Sequence, residues 1–163
     1  MNPAHLLAAL LTALLAALGV HPASTSVQPG TSPCDHQTGG QLVVVSIEQQ
    51  HLWACDGDHT VITTAVTTGA TRDGDATPRG TFAVQGLNRN TTLTTSSGSS
   101  YHVRYWIPFH VGVWGFHDAS WQTIPFGSSR YVTAGSHGCV HMPLAAIRQL
   151  FGWVKYGTKV TVR

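Results

Sequence analysis

A chain of 163 residues with a net charge of +2 has room for one domain and one modest core. Its nine Lys and Arg residues are scattered, which excludes a nucleic-acid surface built on a basic run. The abundance of Thr, Val, Gly and Ser points to a β-rich fold.

Residues 1–24 read as an export signal peptide, with an uncleaved anchor as the alternative. Leu6 to Leu18 is apolar except for Thr12, too short for a comfortable membrane span, and small and turn residues follow, with cleavage expected near Ala23 or Ser24. The n-region carries His5 but no Lys or Arg. Residues 25–40, rich in Ser, Thr, Pro and Gly, read as a flexible leader, and the folded domain is expected over 41–163. Leu42–Ile47 and Leu52–Ala54 predict a hairpin turning at Glu48–Gln50. Alternation over Thr60–Gly69 predicts a third strand, Thr71–Gly80 a loop dense in Gly, Asp and Pro, and Thr81–Val84 another strand. Leu87–Ser100 reads as a long polar loop, followed by strands over Tyr101–Phe109 and Val111–His117. The one helical pattern opens at Pro143, with Leu144, Ile147, Leu150, Phe151 and Val154 on one face. The terminal "TKVTVR" closes the domain as a strand.

Three cysteines in an exported chain imply one pair and one free thiol, and counting alone permits three pairings. Cys34 paired with Cys55 would pin the leader to the hairpin and leave Cys139 free. Cys34 as a lipid-bearing residue is the weaker alternative, because no apolar run precedes it.

The chemistry concentrates in "GSHGCVHMP", Gly135–Pro143. A cysteine nucleophile needs a base near in space, and His117, ending an apolar strand in "GFHDASW", is the candidate. Gly138 removes a side chain beside the thiol. The amides of Gly138 and Cys139 could face a developing oxyanion, and the nearby helix start would favour an anion. His137 and His141 flanking Cys139 also suggest zinc, but i, i+4 histidines share a face only in a helix, which Gly138 and Pro143 argue against.

His117 followed by "SHGCV", together with "VVVSIEQQHLWACDG", "VTTGA" and "TPRGTF", resembles the L,D-transpeptidase catalytic domain of bacterial cell-wall enzymes, the YkuD-type fold, and more closely an actinobacterial branch of it. The resemblance covers about Gln41 to Arg163. The chain departs from the family pattern in a slightly longer spacer after His117, in Asp118 following it, and in His141 where Asn or Arg is usual. The resemblance implies a mainly β sandwich with one short C-terminal helix near the active site. It implies that Cys139 attacks the carbonyl of a peptidoglycan stem tetrapeptide at the diamino acid in position three, releasing D-Ala through a thioester that a neighbouring stem amine, or water, resolves. His117 would be base and then acid, oriented by the Asp118 carbonyl, with Ser136, His137, Gly138 and Asp118 shaping the pocket and oxyanion hole. Tyr105, Trp106, Trp114 and Trp121 would wall the stem peptide, or serve as core. His141 is read as a polar group supporting the site from behind, or a surface residue. Covalent inhibition by carbapenems is implied. No cofactor and no metal are expected, since thiol acyl transfer needs none. The competing readings are a carboxypeptidase or other cysteine hydrolase of the same fold, and a non-catalytic wall-binding module.

Overall fold

The computed structural model describes residues 32–163, so the apolar run Leu6–Leu18 and the expected cleavage position lie outside the described residues. Nine strands form two sheets among those residues. In the first, β1 (Gln41–Ser46), β2 (His51–Asp56) and β3 (His59–Ala65) form an antiparallel meander. β4 (Gly80–Ala83) joins it through β9 (Lys159–Val162), which pairs in parallel with β1, for the order β3-β2-β1-β9-β4. The second sheet runs β5 (Asn88–Thr94), β6 (Ser100–His110), β7 (Trp114–Asp118) and β8 (Val140–Met142), with β7 and β8 parallel. A short helix α1 (Tyr131–Ala134) precedes β8 and α2 (Leu144–Trp153) follows it. The mainly β reading holds.

The period of two in the strands decides where the core sits. Val43 and Val45 of β1 and Leu52 and Ala54 of β2 enter the main core, where they meet Ile107 and Phe109 of β6, Phe116 of β7 and Val140 and Met142 of β8. The alternate residues Leu42 and Val44 face the other way, into a second cluster made with Cys34 and Cys55 under Trp53. β1 is therefore buried on both faces, and the disulfide covers the second. Cys34 and Cys55 are bonded with Cα atoms 5.4 Å apart, leaving Cys139 free.

Three local expectations need correction. Asn88–Thr94 is not loop but the edge strand β5, registered from Asn88 against Trp106 to Thr94 against Ser100. β-branched threonines suit a strand, and an edge that is wet on most of its surface needs few apolar residues to hold a ladder. Val111–Val113 is not strand: Val111 and Gly112 turn at φ of 44° and 70°, and β7 begins at Trp114. In α2, Ile147 and Leu150 are buried while Leu144 is exposed. At about 100° per residue, Leu144 falls about 90° from the centre of the 147–150–154 stripe.

The disulfide closes a loop spanning 21 positions. Cys34→Ala is expected to lower unfolding stability by about 3 kcal/mol in denaturant titration, and iodoacetamide without reductant should add one adduct to the unfolded wild-type chain.

Candidate active site

The parallel ladder of β7 and β8 aligns Phe116 with Val140, His117 with His141 and Asp118 with Met142. Cys139 stands one residue before that ladder. The chain leaving β3 straps the loop from its other side. His141 N–H donates to the Thr67 carbonyl at 2.8 Å, Ser136 N–H to Thr68 at 3.0 Å, and Ala70 N–H to Ser136 at 2.9 Å. Gln50 holds the strap in place. Its Nε2 donates to Ile47 C=O at 2.7 Å and Thr68 Oγ1 at 2.6 Å, and its Oε1 accepts from Thr68 N–H at 2.9 Å. Buried Thr77, from the "TPRG" loop, accepts the Gly69 N–H at 2.9 Å. Sequence reading missed Gln50 and Thr77, because a polar residue in a turn carries no sign that it will be buried.

Inside the loop, Ser136 Oγ accepts the Gly138 N–H at 3.0 Å and donates to the Cys139 carbonyl. The Gly138 amide is thus committed, and of the two expected oxyanion donors the Cys139 amide remains. Gly138 has φ of +106°, and a Cβ there would lie 2.5 Å from Trp114 Nε1. The glycine makes room for the Trp114 indole, not for a ligand. The expected helix start beside the thiol is also displaced, since β8 and Pro143 separate Cys139 from α2.

The residues converge on a cleft of about 650 Å³ lined by Ser136, His137, Cys139, His117, His141 and three tryptophans, Trp106, Trp114 and Trp121. Tyr101 and Gln122 join them. Tyr105 does not: successive strand residues face opposite ways, and its ring packs on Phe151 at 5.1 Å beneath the Arg89 guanidinium. Asp118 also lies outside the cleft lining. Its Oδ1 accepts the backbone N–H groups of Arg104 and Tyr105, both at 2.9 Å, tying β7 to β6. Its carbonyl accepts a hydrogen bond from His117 Nδ1 at 2.9 Å.

That bond places the His117 proton on Nδ1 and leaves Nε2 as a lone pair. The ring lies beside Trp121, stacked at 5.9 Å, and Trp106, tilted at 5.9 Å, with His141 at 4.7 Å. Burial holds the His117 pKa below 6.5, opposed by the Asp118 carbonyl and carboxylate. The half-buried Cys139 thiol donates to the Val113 carbonyl at 3.6 Å. Burial pushes its pKa up to about 11, and a hydrogen bond from the Gly115 backbone offsets part of that rise. Both groups therefore favour their neutral forms, and the pair rests as thiol and imidazole at neutral pH. Among the described residues no cluster of three or more His, Cys, Asp or Glu is placed to hold a metal.

Native Cys139 should be alkylated slowly at pH 7, at a rate rising with pH to 9.5 without a plateau, because the thiolate fraction grows until pH reaches about 11. A plateau near neutrality in a stopped-flow alkylation series would instead mean a resting thiolate–imidazolium pair.

Comparison with known proteins agrees with this geometry. The family model for the L,D-transpeptidase catalytic domain, YkuD, matches residues 40–162. No curated protein matches the chain by sequence. Among solved structures, a mutant L,D-transpeptidase from Enterococcus faecium superposes with a TM-score of 0.71 at 29% identity, over 77% of this chain and 50% of that one. The chain thus spans half the length of that relative. The isolated E. faecium L,D-transpeptidase catalytic domain matches with a TM-score of 0.67 at 32% identity, over 78% of this chain and 99% of that one. The same domain acylated by ertapenem matches with a TM-score of 0.65 at 32% identity, over 76% of this chain and 97% of that one. The chain belongs to the YkuD family of L,D-transpeptidase catalytic domains.

Proposed function

We propose that the protein is an L,D-transpeptidase that acts through a Cys139 thioester on peptidoglycan stem tetrapeptides, releasing D-Ala and forming cross-links. The observation that carries this reading is the convergence of a free thiol and a base with an open Nε2 in one aromatic cleft. In the first half-reaction the thiol proton passes to His117 Nε2 as sulfur attacks the donor carbonyl. Because both groups start neutral, this transfer accompanies attack and does not precede substrate binding. The His117 imidazolium then protonates the departing amine of D-Ala, leaving a thioester and a neutral ring. The Cys139 amide supports the developing oxyanion. Trp106, Trp114 and Trp121 supply flat apolar walls against which a stem peptide can lie.

The E. faecium domain acylated by ertapenem is a relative at 32% identity, and the β-lactam carbonyl is the same class of electrophile as the stem carbonyl. This chain is proposed to form the same kind of adduct. The Cys34–Cys55 disulfide supports work outside the reducing cytoplasm, in keeping with residues 1–24 as an export signal and a cell-wall location.

Incubation with ertapenem should add one drug mass to the tryptic peptide holding Cys139, and Cys139→Ala should abolish it. Turnover of a stem tetrapeptide without an acceptor separates hydrolysis from transfer: release of D-Ala with tripeptide as the only product, even when an acceptor amine is added, would favour the carboxypeptidase alternative. His117→Ala should slow acylation by ~10²–10⁴-fold, far more than His141→Ala does. Equal losses would place the acylating base on the wrong ring.

A further inference from the structure

The cleft contains a second imidazole that the acylation half-reaction does not use. His141 is buried, and its Nδ1 donates to Gln122 Oε1 at 2.9 Å. Gln122 cannot present its amide nitrogen instead, because that Nε2 is engaged as a donor to the Ile124 carbonyl at 2.9 Å. The His141 proton is therefore on Nδ1, and Nε2 is a lone pair, the same tautomer as in His117. Among the described residues Thr67 Oγ1 is the only buried side-chain nitrogen or oxygen without a partner. The Nε2 atoms of His117 and His141 bond to no protein group, so both open onto the cleft that both rings line. Two proton-accepting nitrogens thus share one cavity, on rings whose centroids are 4.7 Å apart.

The surrounding charge is consistent with a cationic visitor. Asp75 is the one acidic residue among those lining the cleft, and no Lys or Arg lines it. The titratable groups sharing the space are His117 from β7, His137 and Cys139 from the loop before β8, Tyr101 from β6 and Asp75.

An alkyl amine reaches the cleft as R–NH₃⁺ and must shed two protons to become an amide. We propose that His141 is the acceptor of the first of them, so that the protein deprotonates an ammonium acyl acceptor with one imidazole and completes transfer with the other. This rests on the acyl-transfer reading. The ammonium gives a proton to His141 Nε2 and becomes a neutral amine. His141 passes that proton to water in the open cleft. Discharge comes before the next transfer, because two imidazolium rings so close repel each other. The amine nitrogen then attacks the thioester carbon, forming the C–N bond, and its second proton goes to His117 Nε2. The C–S bond breaks, and the Cys139 thiolate takes the proton from His117, restoring the resting pair. The sum is thioester plus R–NH₃⁺ giving amide, thiol and one proton to solvent. Burial, with His117 and His137 nearby, holds the His141 pKa well below 6.5, so the first transfer is uphill and is drawn forward by discharge of the proton to solvent. His117 alone could serve only by discharging to solvent between the two transfers, and it is the more buried ring, 4% exposed against 9% for His141, with both Trp106 and Trp121 beside it where His141 has Trp121.

The test acylates the full chain with a stem tetrapeptide and follows aminolysis at pH 7 with two acceptors: a stem peptide carrying a primary alkyl amine, and hydroxylamine, whose nitrogen is unprotonated at that pH. His141→Asn should slow transfer to the alkyl amine by roughly 10²-fold while slowing transfer to hydroxylamine by far less, and raising the pH should narrow the difference. Gln122→Ala, which frees the tautomer but keeps the ring, should show a smaller loss confined to the alkyl amine, and it carries the test if the His141 variant does not fold. Equal slowing of both acceptors, or of neither, overturns the relay while leaving the acyl-transfer reading standing. A wild-type chain that forms no thioester overturns that reading and the relay with it.

Discussion

The parallel ladder between β7 and β8 is the constraint on which the rest of the site depends. It joins two strands separated by a long excursion of chain and sets His117 directly beside His141, with Cys139 one residue outside the pairing. A slip of one residue would send every side chain of β8 to the opposite face. Val140 and Met142 would leave the core, and His141 would leave the cleft. Two independent attachments hold the register: apolar burial at Val140 and Met142, and the strap from Thr67–Ala70 that hydrogen-bonds the same loop from its far side.

The interior of the site is built from neutral groups. A cleft walled by indoles penalises a thiolate and an imidazolium alike, which is why burial moves Cys139 and His117 in opposite directions, each toward its uncharged form. In the proposed reaction, charge develops only when a carbonyl is present to accept the sulfur's electrons. The polar atoms near the thiol are arranged to keep the loop shaped. Ser136 Oγ ties Gly138 to Cys139, and the Asp118 carboxylate binds β6 backbone, so the carbonyl of Asp118 and not its charge orients the histidine.

Much of this was legible in the sequence. Short β-branched and apolar runs located β1, β2, β6 and β9, and alternation located β3, because buried strand residues leave a trace in residue type that needs no partner to be seen. The polar strand β5 left no such trace, since its ladder to β6 supplies the stabilisation and its side chains stay largely wet. The turn at Val111–Val113 was hidden for the opposite reason, as apolar residues there stand exposed at the mouth of the cleft. The three tryptophans of the cleft could be named as candidates, but Tyr105 could not be separated from them without knowing which way each β6 residue faces.

The sequence by itself determined the family and that one of three cysteines stays unpaired, and it named Cys139 and His117 as the candidate pair, because each is a matter of residue type and local spacing; which two cysteines pair was left to the structure. Only the tertiary structure decided that the Gly138 amide is occupied, that Gln50 anchors the strap, and that Gln122 sets the tautomer of His141. Those facts depend on hydrogen bonds between segments far apart in the chain, and a linear pattern carries no record of which donor meets which acceptor.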